Sequence, residues 1–275
     1  MDLSIRHATR YDWDAPVSAG LQQLRLRPRS GPLQLVEGWE IAVEGGRVEA
    51  EYRDENGNEV TLVSIDPGAT SLTLVAEGRI RTLREDGVFG RHRGHAPLWL
   101  YLRDTEATEP GPLIRALADE VTAEAQGLER LHLLARRIAA DVEYGGGTTD
   151  AGTSAEAALA GGRGVCQDHA QIFVACARLM GHPARYVSGY LAMDDRVAQD
   201  ATHAWADAHA EGVGWVGFDP SNGISPDHRY ARVASGPDYA ACAPVRGLRQ
   251  GAAREALGVS VSVGAGGAQQ QSQSQ

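Results

Sequence analysis

The segment from Cys166 to Met180 limits the possible folds of this chain more than any other. Ile172, Phe173, Val174, Ala175, Cys176, Ala177, Leu179 and Met180 leave it almost no polar face. A surface helix needs a polar stripe, so a helix apolar on nearly every side belongs at the centre of a core. Gly181 and Pro183 supply its stop. Its start is a run of small residues, Gly161-Gly162-Arg163-Gly164-Val165, ending in Cys166. Unpaired N–H groups and a partial positive charge at a helix N-terminus favour the thiolate form of a cysteine placed there. Polar Gln167, Asp168 and His169 follow and suit a helix end open to solvent. Cys176, deep in the apolar part, reads as a small buried hydrophobe.

Residues 1–105 read as a β-rich domain. Leu3 to His7 and Leu24 to Arg27 alternate, and Glu44-Gly45-Gly46 and Asn56-Gly57-Asn58 each read as a hairpin turn. Many short strands at this spacing imply a sandwich-like fold. After Pro110-Gly111-Pro112 the period changes. Leu113 to Gln126 and Leu128 to Val142 are helical, and Thr153-Ser154-Ala155-Glu156 is a capping box for a short third helix. Strands are expected at Ala184 to Leu191, Thr202 to Ala210 and Val213 to Phe218. The fold class is therefore α+β, with a second domain over 106–250 and a disordered tail over 251–275, ending in a Gln/Ser run.

A formal net charge of −10 argues against nucleic acid or an anionic membrane as partner. All the basic residues are arginine, which fits a compositional bias of the genome. Three cysteines without paired spacing offer no disulfide framework. No secretory signal and no membrane-spanning stretch is recognisable, so a reducing cytoplasm is the expected compartment.

Two downstream segments hold what a thiolate nucleophile needs. In Thr202 to Ala210 the odd positions His203, Trp205, Asp207 and His209 share one strand face, and the even positions are all alanine. The alanine face can pack on the apolar helix while the other presents His203 to Cys166. Asp207 and His209 read as solvated, and Trp205 as a cleft wall or core packing. If Ala210-Glu211-Gly212 is a three-residue loop with Gly212 left-handed, His203 lies directly opposite Asp219. Cysteine, histidine and aspartate then form a nucleophile, base and orienter for acyl transfer. Gly164, Gln167 and Trp205 are candidate cleft residues. The backbone N–H of Cys166 is one oxyanion donor, with a second expected from the loop after Tyr144. Acidic Asp194, Asp195 and Asp200 precede His203 and read as a solvated loop. Cys166, His169, His203, Asp207 and His209 lack the paired spacing of a zinc site, so no metal or other cofactor is expected.

Gly-Val-Cys-Gln-Asp at 164–168, Tyr-Val-Ser-Gly-Tyr at 186–190, Thr-His-Ala-Trp-Ala at 202–206 and Gly-Trp-Val-Gly-Phe-Asp-Pro-Ser-Asn-Gly at 214–223 occur in order. With them the chain resembles the bacterial transglutaminase-like cysteine peptidases. The resemblance covers about residues 2 to 247, including the N-terminal β region. It implies a papain-like core with Cys166 as nucleophile, His203 as base and Asp219 as orienter. It also implies a peptide or protein substrate and chemistry without a metal or organic cofactor. Hydrolysis by a peptidase or amidase is favoured over transfer to an amine, because nothing in the sequence marks an amine site. A non-catalytic binding module on the same fold is the competing class, and the intact residue set argues against it. The sequence is silent on oligomeric state.

Overall fold

The computed structural model describes residues 1–266 apart from His95, Thr148, Asp200 and Ala252. Alternating residues make the first part of the chain a run of strands: β1 (Asp2–Trp13), β2 (Ala19–Arg27), β3 (Gln34–Glu44), β4 (Gly46–Arg53), β5 (Glu59–Ile65) and β6 (Ser71–Thr82). In β1 every second residue from Leu3 to Trp13 is buried, the period of a strand covered on one face. β1, β6 and β3 lie in one sheet, and β2, β5 and β4 in another. Their inner faces share a core that includes Tyr11, Leu24, Val63, Leu72 and Leu74, which makes a sandwich.

Asn56-Gly57-Asn58 joins β4 to β5 as a hairpin, with Arg53 opposite Glu59. Glu44-Gly45-Gly46 does not. β3 pairs with β6 and β4 with β5, so this turn crosses from one sheet to the other. Gly45 has φ 81°, and a Cβ there would lie 2.2 Å from the Ser71 carbonyl oxygen. Only glycine meets both demands.

The remaining elements are β7 (Val88–Gly90), α1 (Pro112–Glu124), α2 (Gly127–Asp141), β8 (Glu143–Tyr144), α3 (Ala155–Gly161), β9 (Arg163–Gly164), α4 (Cys166–Leu179), β10 (Ala184–Leu191), β11 (Ala198–Gln199), β12 (His203–Ala210), β13 (Gly214–Phe218), β14 (Tyr230–Gly236), β15 (Val245–Gln250) and β16 (Glu255–Ala265). A central sheet runs in the order β14-β10-β12-β13-β7. Phe173 and its neighbours on α4 are buried against Ile114 of α1, Leu131 of α2 and Ala206, Ala208 and Ala210 of β12. Alanine has no side chain beyond Cβ, so this strand face lets the helix approach closely.

The expected domain limits need correction. β7, from the first 105 residues, pairs with β13 in the central sheet. β15 pairs with β2 in the sandwich. The segment expected to be a disordered tail contains β16, which pairs along all of β1 from Trp13 opposite Glu255 to Leu3 opposite Ala265. The alternation Val259-Ser260-Val261-Ser262-Val263 is a strand signal that small, polar composition concealed. The Gln/Ser run lies outside the described residues.

Sandwich and central sheet share an apolar seam, where Leu3, Ile5, Ile80 and Val261 meet Tyr190, Ala231 and Val233. Beside this seam sits buried His7, whose Nδ1 lies 3.0 Å from the Tyr190 hydroxyl and Nε2 3.1 Å from Thr9 Oγ1. Burial pushes its pKa from 6.5 down to about 4. The folded state binds this proton less tightly than the unfolded one, so the contribution is complete above pH 6.5 and is lost as pH falls toward about 4. We expect this group alone to cost on the order of 3 kcal/mol of stability across that range. Urea denaturation of His7→Gln should show a flatter pH dependence there, and an unchanged slope would refute the assignment.

Candidate active site

Cys166 opens α4, and a local network fixes that end. Asp168 Oδ2 accepts from the Val165 N–H at 2.7 Å and from Thr149 Oγ1 at 2.8 Å. This is the work of an N3 carboxylate that turns back on the helix start. Gly164 is buried, and a Cβ there would come within 2.7 Å of the same Asp168 oxygen. The Asp168 carboxylate by itself therefore calls for glycine here. Asp168 and His169 are buried, contrary to the solvent-open helix end expected from their polarity. The His169 Nε2 finds the Val142 carbonyl at 3.0 Å.

His203, the first residue of β12, is 7% exposed and Asp219 is fully buried. Nε2 of His203 lies 2.6 Å from Oδ2 of Asp219. The Cys166 thiol is near enough to the imidazole to favour its protonated form. With Nε2 engaged by the carboxylate, Nδ1 is the nitrogen left for sulfur. Burial disfavours the imidazolium, but the hydrogen bonds and charges of Asp219 and Cys166 outweigh it and push the His203 pKa up to about 10. Burial likewise opposes ionisation of Asp219, yet His203, Ser221 and Asn222 hold it at about 2.

Asp219 is itself gripped from three sides. Oδ1 accepts from Ser221 Oγ at 2.6 Å and from the Ser221 and Asn222 N–H groups, and Oδ2 from Asn222 Nδ2 and the Tyr230 hydroxyl, both at 2.7 Å. The sequence reading did not reach these partners. Asp219-Pro220-Ser221-Asn222 is the signal that was available, an aspartate whose side chain bonds backbone two and three residues on. Tyr230 lies on β14, which no motif marked. Tyr144 was missed as well. Burial and the charges of Cys166 and Asp219 raise its pKa, although the residue stays largely exposed and its ring packs near His169.

The β12–β13 register differs from the expected one. His209 faces Trp215 and Ala206 faces Phe218, so the loop is Glu211-Gly212-Val213, and the Ala210 carbonyl accepts from the Val213 N–H. Gly212 has φ 78° at the third position of that turn, where a type II turn requires glycine. Asp219 therefore lies diagonal to His203. A shift of two residues preserves the face.

Trp205 is no cleft wall. It is buried behind His203, the rings 6.3 Å apart and inclined by 26°. Asp207, expected to be solvated, is completely buried between Arg185 and Arg232. His209 packs on Trp215. Gln167 is half-buried and reaches a cavity of ≈ 190 Å³, with Thr202 and Tyr239 on its side and Tyr11, Leu257 and Val259 of the sandwich opposite. Asp194 and Asp195 are exposed, and Asp200 lies outside the described residues. Among the described residues no three His, Cys, Asp or Glu side chains converge to hold a metal ion.

A cysteine at the start of a buried helix, with a histidine that an aspartate holds on the adjacent sheet, defines a cysteine-centred α+β protein with a β-sandwich at its flank. Residues 115–220 match the family model of the transglutaminase-like superfamily, and residues 3–81 that of the bacterial transglutaminase-like N-terminal region. The chain belongs to this superfamily and carries its bacterial N-terminal region. It is 28% identical over 274 residues to an uncharacterised protein of Mycobacterium leprae, covering 95% of this chain and 98% of the relative. An uncharacterised Mycobacterium tuberculosis protein is 29% identical over 281 residues, covering 89% and 86%. The crystal structure of a candidate cysteine protease from Cytophaga hutchinsonii superposes with a TM-score of 0.77 at 18% identity, over 96% of this chain and 90% of that one. That likeness is one of fold.

Proposed function

We propose that this protein is a cysteine-dependent amide hydrolase acting on peptides or proteins, with a Cys166-His203-Asp219 triad. The observation that carries this reading is the buried 2.6 Å contact between His203 and Asp219, in a chain whose cysteine opens a buried helix and acts on the same imidazole. Asp219 keeps the Nε2–H tautomer, so Nδ1 takes the thiol proton. The thiolate attacks the amide carbonyl, and the oxyanion develops at the backbone N–H of Cys166. His203 returns the proton to the leaving amine, giving a thioester, and then activates water to resolve it.

The cavity beside Gln167 lies next in sequence to both Cys166 and His203, through Gln167 on one side and Thr202 and Ala204 on the other. Among the described residues no Asp, Glu, Lys or Arg lines it, which suits an uncharged apolar side chain of the substrate. Half of this wall comes from the sandwich, which gives the N-terminal region a part in binding. Three unpaired cysteines suit a reducing compartment, which we take to be the cytoplasm.

The test is turnover of a peptide library with and without an added primary amine, read by mass spectrometry. Hydrolysed products in both arms support the proposal. Amine-linked products would replace it by transamidation, and no turnover with no labelling of Cys166 by iodoacetamide would leave only a binding module. Where turnover is seen, kcat/KM should persist through neutral pH and fall as pH rises through about 10, where His203 loses its proton. An alkaline limb near neutrality would contradict the His203 assignment.

A further inference from the structure

On the face of the central sheet that carries Trp205 and Asp207, a separate cavity of ≈ 290 Å³ opens between sheet and sandwich. The chain as a whole is acidic, at −10, yet among the described residues no aspartate or glutamate lines this cavity, while Arg29, Arg93, Arg185 and Arg232 all do. Beneath it lies Asp207. It accepts from Arg185 Nε at 2.8 Å and from Arg232 Nη1 and Nη2 at 2.8 and 2.7 Å. Two guanidinium groups against one carboxylate leave a unit of positive charge, on side chains only 12% and 15% exposed. A charge so placed is costly until something pairs with it.

The unused hydrogen-bonding capacity points the same way. Arg185 spends only Nε on Asp207, and its Nη1 and Nη2 meet no acceptor among the described residues. Nε of Arg232 is buried without an acceptor. The groups are also held in place. The Arg185 guanidinium lies 4.4 Å from the Trp215 ring centroid and 5.3 Å from that of Phe89, and Arg232 lies 5.1 Å from Phe89. Aromatic faces keep a guanidinium flat and spare it water, which prepares its open edge for a two-point contact with an oxyanion.

We propose that this cavity binds a small oxyanion, a carboxylate or a phosphate carried on a compact body, at a site separate from Cys166. Its volume is at the lower end for small-molecule sites and too small for a folded partner. Arg185 forms the fork at the floor, and Arg93, exposed at the rim, adds attraction at the entrance.

Calorimetric titration at constant ionic strength tests this, using inorganic phosphate in one arm and N-acetyl-glycyl-phenylalanine in another. The same dipeptide as its amide is the control. Saturable binding in either oxyanion arm with a Kd of about 10 mM or tighter, and none for the amide, is the expected result. The arm that saturates tells which oxyanion the site takes. Arg185→Gln should weaken binding about tenfold or more. Arg93→Gln, at an exposed position where folding is not at stake, should weaken it by a smaller factor. Cys166→Ala should bind as wild type, since the thiol is elsewhere. Failure of both oxyanions to saturate, or wild-type binding by the Arg185 and Arg93 variants, would overturn the proposal.

Discussion

Cys166→Ala is expected to give a folded protein that forms no acyl-enzyme and turns over no substrate. The sulfur is the only atom the proposed chemistry bonds to the substrate, and no other thiol can take its place. Cys176 and Cys242 are fully buried, and burial pushes both thiols up, away from the reactive form. Folding should survive because the change removes one atom from the edge of a cluster formed with Ala170, Tyr186 and Ala204. Intact-protein mass spectrometry after addition of an activated acyl substrate reads the result. An acyl adduct on the alanine variant would remove Cys166 from the mechanism.

Asp219→Asn should lower kcat by about 10⁴-fold, the loss seen when the corresponding carboxylate of a serine triad is replaced and the histidine takes the wrong tautomer. Here the effect has two sources. The amide cannot stabilise the imidazolium whose pKa the carboxylate helps hold near 10. Its NH₂ would also face donors from Ser221, Asn222 or Tyr230 that now converge on oxygen. Tyr230→Phe removes just one of those donors and should cost far less. Comparing kcat with melting temperature separates the roles. A loss in kcat under about tenfold for Asp219→Asn, with the fold intact, would sink the orienting role.

The parts of this molecule that were legible beforehand are those where periodicity alone decides. The apolar length of α4 and the alanine face of β12 dictate their own packing. The placement of His203 and Asp219 on one face withstood an error of two residues in the register, because a strand repeats every two. What was not legible depends on long-range partners. Asp207 looks like a surface carboxylate until Arg185 and Arg232 are brought to it from other strands. Glu44-Gly45-Gly46 has the composition of a hairpin, and only the pairing of β3 and β4 with different neighbours shows a crossing between sheets. Residues 255–265 carry a strand pattern written mostly in serine, glycine and valine, too weak to read without β1 beside it.

The pairing of β1 with β16 also bears on how the chain is made. During synthesis β1 leaves the ribosome long before residues 255–265, so its outer edge waits unpaired while the transglutaminase-like core is translated. Contacts this distant in sequence are slow to form, and an open strand edge invites pairing with a neighbouring chain. The outward face of β1 carries Asp2, Arg6, Arg10 and Asp12, charges that discourage such pairing in the interval. A nascent or truncated chain that stops before β16 keeps that edge open for good. It is then an aggregation-prone fragment rather than a smaller version of the folded protein.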